Sequence, residues 1–93
     1  MVGSVKSNIG HLEGAAGIAG LIKAVLVLTQ ECVPSNVGLN NLNPLIDKTI
    51  QSHEFPIKFP TELNPITGGK SGKLLVAEVS SFGYSGTIAH AIL

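Results

Sequence analysis

The feature that limits this chain most is a long apolar run almost without charge. Residues 14–30 read Gly-Ala-Ala-Gly-Ile-Ala-Gly-Leu-Ile-Lys-Ala-Val-Leu-Val-Leu-Thr-Gln, and Lys23 is the only charged side chain among them. Ile18, Leu21, Ile22, Val25, Leu26 and Leu28 predict a helix over residues 12–30. A helix that is apolar on every side is either deeply buried or membrane-spanning. The run is nearly long enough for a bilayer. A central lysine costs about 3 kcal/mol on insertion, and Gly14, Gly17 and Gly20 argue against a span as well. Burial within protein is therefore expected, and a membrane is not. The small residues at 14–20 let the start of the helix approach other backbone closely.

Such a helix needs cover, and the composition offers little surface to go with it. Of 93 residues only 13% are charged and 44% are hydrophobic. A free domain of this size should be mostly surface, with about a quarter of its residues charged. The composition is that of an interior piece. Zero net charge, scattered basic residues and few aromatics exclude a nucleic-acid partner. One cysteine excludes an internal disulfide and fits a reducing, cytoplasmic setting. No basic segment precedes an apolar run at the N-terminus, so no signal peptide is expected. His11, His53, His90 and Cys32 are too dispersed for a metal motif, so no metal is expected.

Residues 1–6 read as a short opening segment, the end of a strand. Ser7, Asn8 and Gly10 favour turn conformations, which puts His11 at or just before the helix N-terminus. There the helix macrodipole favours a neutral imidazole, and a neutral histidine can donate a hydrogen bond to a developing oxyanion. Pro34 is expected to stop the helix. Residues 34–54, with Asn36, Asn40, Asn41, Asn43 and Pro44, read as an irregular loop. A loop of that length suits a segment draped over a larger protein. Residues 55–59 read as a short strand between prolines, and 64–73 as an exposed glycine-rich loop. Residues 74–80 and 87–93 read as strands joined tightly through 81–86. Gly69-Lys70-Ser71 is similar to part of a phosphate-binding loop. Asn64 stands where that motif needs glycine, and a strand rather than a helix follows, so nucleotide binding is not expected.

Two motifs carry a resemblance. Lys6-Ser7-Asn8-Ile9-Gly10-His11 resembles the lysine-to-histidine motif of β-ketoacyl synthases of the polyketide synthase and multifunctional fatty acid synthase type. Ser80-Ser81-Phe82-Gly83-Tyr84-Ser85-Gly86-Thr87-Ile88-Ala89-His90 resembles that family's glycine-rich C-terminal signature. Order and separation also agree, and the resemblance covers essentially the whole chain. It implies an α/β, thiolase-like layered fold, of which residues 1–93 are the C-terminal part: a buried helix plus mixed strands, without the nucleophile-bearing N-terminal part.

The activity implied is an acyltransferase reaction, the decarboxylative Claisen condensation of an acyl thioester with a malonyl-type extender. The extender rides on the phosphopantetheine of an acyl carrier protein, and no other cofactor is implied. The resemblance makes His11 one of two histidines that polarise the extender's carbonyl, and Lys6 a residue that orders the site. The Tyr84 N–H would complete an oxyanion hole and its side chain would gate the acyl pocket. Gly83 and Gly86 would give that turn its backbone freedom, and Asn8, Gly10 and His90 would complete the motifs structurally. Ile88 stands where the family commonly has asparagine, and isoleucine cannot make the amide's hydrogen bonds. Cys32 is expected to be structural, because a helix C-terminus disfavours a thiolate and the family's cysteine motif lies upstream. Partners implied are the carrier protein, the remainder of the synthase domain and a second copy in a homodimer. A non-extending synthase-like domain and a non-catalytic interaction paralogue stay open beside the condensing enzyme.

Overall fold

The computed structural model describes residues 1–68 and 72–93. Its elements are α1 (Lys6–Ile9), a 3-10 turn (Glu13–Ala15), α2 (Ala16–Gln30), β1 (Cys32–Val33), α3 (Pro44–Ser52), β2 (Asn64–Pro65), β3 (Glu78–Phe82) and β4 (Ile88–Ile92). Helices and strands are mixed along the chain, and the strands form two separate antiparallel pairs, β1–β2 and β3–β4. The Gly69-Lys70-Ser71 run, and with it the middle of the loop expected over 64–73, lies outside the described residues.

Helix α2 forms where the apolar run predicts it, and its glycines decide what it packs on. A Cβ added at Gly17 would lie 3.0 Å from Ser81 Oγ, and one at Gly20 would lie 3.3 Å from Val79 Cγ1. Hydrogen is therefore the only side chain that fits this contact with β3 without movement. Strands β3 and β4 pair antiparallel from Glu78↔Ile92 to Phe82↔Ile88. Alternation sends Val79 and Ser81 toward α2 and leaves Glu78, Ser80 and Phe82 on the other face.

Each layer is covered on one side only. Ile18, Ile22, Val25 and Leu26 form an exposed stripe along α2, and Phe82, Ile88 and Ile92 are exposed on the hairpin's outer face. Among the described residues only Val33 and Pro60 are buried. By length and composition, residues 13–30 are also apolar enough to cross a membrane. In the fold they lie along β3, and the Lys23 ammonium donates to the Ser4 carbonyl at 3.0 Å.

Several expectations need correction. Residues 1–5 are not a strand, although the Val2 N–H donates to the Lys58 carbonyl at 2.8 Å. Helix α2 ends before Pro34 is reached: Glu31 adopts the left-handed conformation at φ 49°, and its N–H closes onto the Leu28 and Val27 carbonyls. Cys32 consequently lies in β1, paired with Pro65, and not in the helix end. The loop expected over 34–54 contains α3. Asn43 caps it, its Oδ1 accepting the Leu45 N–H at 2.9 Å, and Pro44 occupies the first turn, where a missing N–H costs nothing. Residues 55–59 form no strand; Pro56 lacks a donor, and the Ile57 N–H turns back to the Phe55 carbonyl at 2.7 Å. Strand β3 begins at Glu78, not at 74.

Two apolar faces without cover make the isolated chain poorly packed. Residues 1–93 expressed alone should bind a hydrophobic dye and give poorly dispersed amide resonances in NMR. A sharp, dispersed spectrum with a cooperative melt contradicts this.

Candidate functional site

The segment bearing Lys6 and His11 is built almost wholly by backbone bonds. The Asn8 and Ile9 N–H groups donate to the Val5 carbonyl, at 3.0 and 3.2 Å, and the Gly10 N–H donates to the Lys6 carbonyl at 2.9 Å. These make α1 a single turn, where turn propensities alone suggested no helix. Gly10 then takes φ 76°, ψ −174°, and a Cβ there would touch nothing. Its glycine is needed for the backbone angle, not for space.

His11 follows directly and is exposed, two residues ahead of the 3-10 turn that leads into α2. Its Nδ1 accepts the Glu13 N–H at 2.9 Å. That bond occupies the Nδ1 lone pair, so the ring proton sits on Nε2. The result is a histidine with one nitrogen tied to the backbone and the other presenting an N–H outward. Lys6 and Asn8 are exposed beside it, and the Lys6 ammonium makes no ion pair or hydrogen bond among the described residues.

The second motif forms the β3–β4 turn. The Gly86 N–H donates to the Gly83 carbonyl at 3.1 Å, and the Gly83 N–H donates to the Thr87 carbonyl at 2.7 Å. Gly86 has φ 88°, so the connection is a turn closed by a left-handed glycine, a usual three-residue hairpin loop. Tyr84 stands at the tip with its side chain fully exposed. Its N–H takes part in none of the turn's bonds and has no partner among the described residues.

The contacts of α2 bring these two segments to one end of the layer. Gly17, nearer the start of α2, meets Ser81, nearer the end of β3, whereas Gly20 meets Val79. Helix and strand therefore run in opposite directions, and the start of α2 lies beside the hairpin turn. His11 and Tyr84 each extend from that shared end.

The other sequence-selected residues lie elsewhere. His90 is opposite Ser80 in the hairpin, with Nδ1 2.9 Å from Ser80 Oγ. Ile88 faces Phe82 across the strands. Cys32 is half-buried in β1. His53 stacks on Phe55 with ring centroids 5.3 Å apart, at the end of α3. Among the described residues no group of His, Cys, Asp and Glu could hold a metal ion.

Sequence reading assigns no part here to three residues hydrogen-bonded to one another just ahead of the Lys6–His11 segment: Ser4, Lys23 and Asn36. Lys23 gave a signal, since a lone charge in an apolar helix must find a polar partner. Asn36 gave none that separated it from an ordinary turn residue.

Comparison with known proteins agrees along the whole chain. Residues 1–40 match the family described as β-ketoacyl synthase, C-terminal domain. A highly reducing polyketide synthase 40 of Fusarium mangiferae is 47% identical over 93 residues, covering 100% of this chain and 4% of that protein. The polyketide synthase-nonribosomal peptide synthetase TwmB of Talaromyces wortmannii is 49% identical over 92 residues, 99% of this chain and 3% of that protein. A hybrid PKS-NRPS synthetase of Aspergillus terreus, pytA, is 46% identical over 92 residues, 99% of this chain and 13% of that protein. The chain thus spans a small fraction of each relative. Together with the two motifs and their geometry, these matches make the chain similar to the C-terminal domain of β-ketoacyl synthases and to polyketide synthases that carry it.

Proposed function

We propose that this segment supplies part of the condensing site of a polyketide-type β-ketoacyl synthase. The observation that carries the reading is the His11 ring, held by the Glu13 N–H so that Nε2–H is free to donate. The reaction is a decarboxylative Claisen condensation. A cysteine N-terminal to this segment holds the acyl chain as a thioester. The malonyl-type extender arrives as a thioester on the phosphopantetheine arm of an acyl carrier protein. His11 Nε2–H, with a second histidine from the N-terminal part, hydrogen-bonds the extender's thioester carbonyl. The carboxylate carbon–carbon bond breaks, carbon dioxide leaves, and its electron pair passes into an enolate whose oxygen faces the two donors. The enolate carbon attacks the acyl-cysteine carbonyl, and the thiolate leaves as the new carbon–carbon bond forms. Charge develops on oxygen in both steps, where fixed donors act most strongly.

Lys6 orders the site without reacting. The unpartnered Tyr84 N–H forms part of an oxyanion hole for the acyl-cysteine carbonyl, and the exposed ring gates the acyl pocket. Asn8, Gly10, Gly83, Gly86 and His90 shape the two loops. Residues 1–93 form the C-terminal part of a thiolase-like domain, with α2 and the β3–β4 hairpin as adjacent helix and sheet layers. The N-terminal part covers the apolar faces of both. The parent enzyme is a cytoplasmic homodimer.

In the full synthase, His11→Ala should leave acylation of the upstream cysteine largely intact and block decarboxylation and condensation. One such donor is worth about 3 kcal/mol, roughly a hundredfold in rate or more. His11→Gln should be milder if donation matters more than proton transfer. Loading with a labelled acyl group, then adding malonyl-carrier protein, separates carbon dioxide release from product formation. Unimpaired product formation by the alanine variant reduces His11 to a structural residue. Loss of acylation alone moves it to the first half-reaction.

Cys32→Ala in the same protein should leave condensation nearly unchanged, since Cys32 is half-buried in β1, its backbone opposite Pro65, and its thiol only packs. A loss of turnover at unchanged melting temperature shows that the thiol takes part in the chemistry.

A further inference from the structure

Ser4 stands immediately before the segment that carries Lys6 and His11, and it is held from four directions. Its N–H donates to Asn36 Oδ1 at 3.0 Å. Its carbonyl accepts the Lys23 ammonium at 3.0 Å and the Ser7 hydroxyl at 3.1 Å. Its hydroxyl accepts the Lys6 N–H at 3.2 Å. Asn36 also donates through Nδ2 to the Val2 carbonyl at 3.1 Å. One amide side chain thereby bridges residues 2 and 4 as a neighbouring strand would. Asn36 is itself anchored, its backbone N–H donating to the Pro60 carbonyl at 2.9 Å.

We infer that Lys23 and Asn36 are positioning residues for the condensing site: by clamping Ser4, they set where Lys6 and His11 stand relative to the hairpin turn. The inference rests on the function proposed for His11. Lys23 is half-buried, the only charge in α2, and it faces a backbone carbonyl rather than a carboxylate. Its half-buried side chain reaches this carbonyl, a charge-assisted bond that joins the helix to Ser4. The bond also ties the segment to the element that fixes the hairpin's position, since the same helix meets β3 through Gly17 and Gly20. From Ser4 onward the linkage is short and stiff. Ser7 and Lys6 bond directly to Ser4, the Gly10 N–H closes onto Lys6, and His11 follows Gly10. A shift at Ser4 is carried to His11 with little flexible chain to absorb it.

The test uses the full synthase with Lys23→Met, which keeps length and helix propensity but removes the donor, and Lys23→Arg, which restores one. Asn36→Asp keeps the acceptor for the Ser4 N–H and loses the donor to Val2. The reading is the ratio of decarboxylation rate to cysteine acylation rate, taken with the melting temperature. A misplacement near 1 Å can cost a hundredfold in rate, so Lys23→Met should lower that ratio about tenfold or more. Lys23→Arg should recover most of the loss, and Asn36→Asp should fall between. A ratio unchanged in Lys23→Met and Asn36→Asp overturns the inference, as does a parallel fall of both half-reactions with melting temperature. His11→Ala run alongside separates the two readings. If it leaves decarboxylation intact, the proposed function fails. If it blocks decarboxylation while the Lys23 and Asn36 variants keep the ratio, only the positioning inference fails.

Discussion

The close contact between α2 and β3 is the constraint on which the rest depends. It exists because Gly17 and Gly20 present no side chain to Ser81 and Val79. A Cβ at either position would make Ser81 or Val79 give way by a few tenths of an ångström, and overpacking costs about 1–3 kcal/mol. The contact does more than join two elements. Its direction puts the start of α2 beside the β3–β4 turn, so two sequence motifs separated by most of the chain lie toward the same end of the layer.

The same glycines carry an intrinsic penalty. Each costs about 1 kcal/mol relative to alanine inside a helix, so α2 owes its stability to packing more than to propensity. The hairpin provides one packed side. The stripe of Ile18, Ile22, Val25 and Leu26, and the hairpin face of Phe82, Ile88 and Ile92, still lie open. A layer pair that is apolar on both outer surfaces matches a segment that covers only 3–4% of several long synthases.

Sequence pattern made α2 and the β3–β4 hairpin legible, because both depend on local periodicity and on turn glycines. The end of α2 was placed to the residue, but for the wrong reason: Glu31 in a left-handed conformation ends it, not Pro34. Helix α3 was readable in principle from Asn43 followed by Pro44, a cap and a first-turn residue. The surrounding asparagines drew attention to turns instead. The strand read at 55–59 failed because backbone donors at a proline-flanked stretch found local partners. His11 and Tyr84 were visible through their motifs. The clamp at Ser4 was not, since its bonds to Lys23 and Asn36 span 19 and 32 residues, and long-range pairing of this sort leaves no periodic trace.

The orientation of the His11 ring is set by backbone rather than by packing. Glu13 is left-handed at φ 48°. A non-glycine residue there costs on the order of 1–3 kcal/mol. The conformation returns two things: it turns the Glu13 N–H onto His11 Nδ1, and it starts the 3-10 turn that leads into α2. The ring is otherwise exposed, so this single bond selects the tautomer that leaves Nε2–H outward. The left-handed Glu13, glycine at 10 for its positive φ, and glycines at 17 and 20 for close approach thus serve one end. They fix a donor nitrogen at the junction of helix and hairpin, with no side chain packed around it to do so.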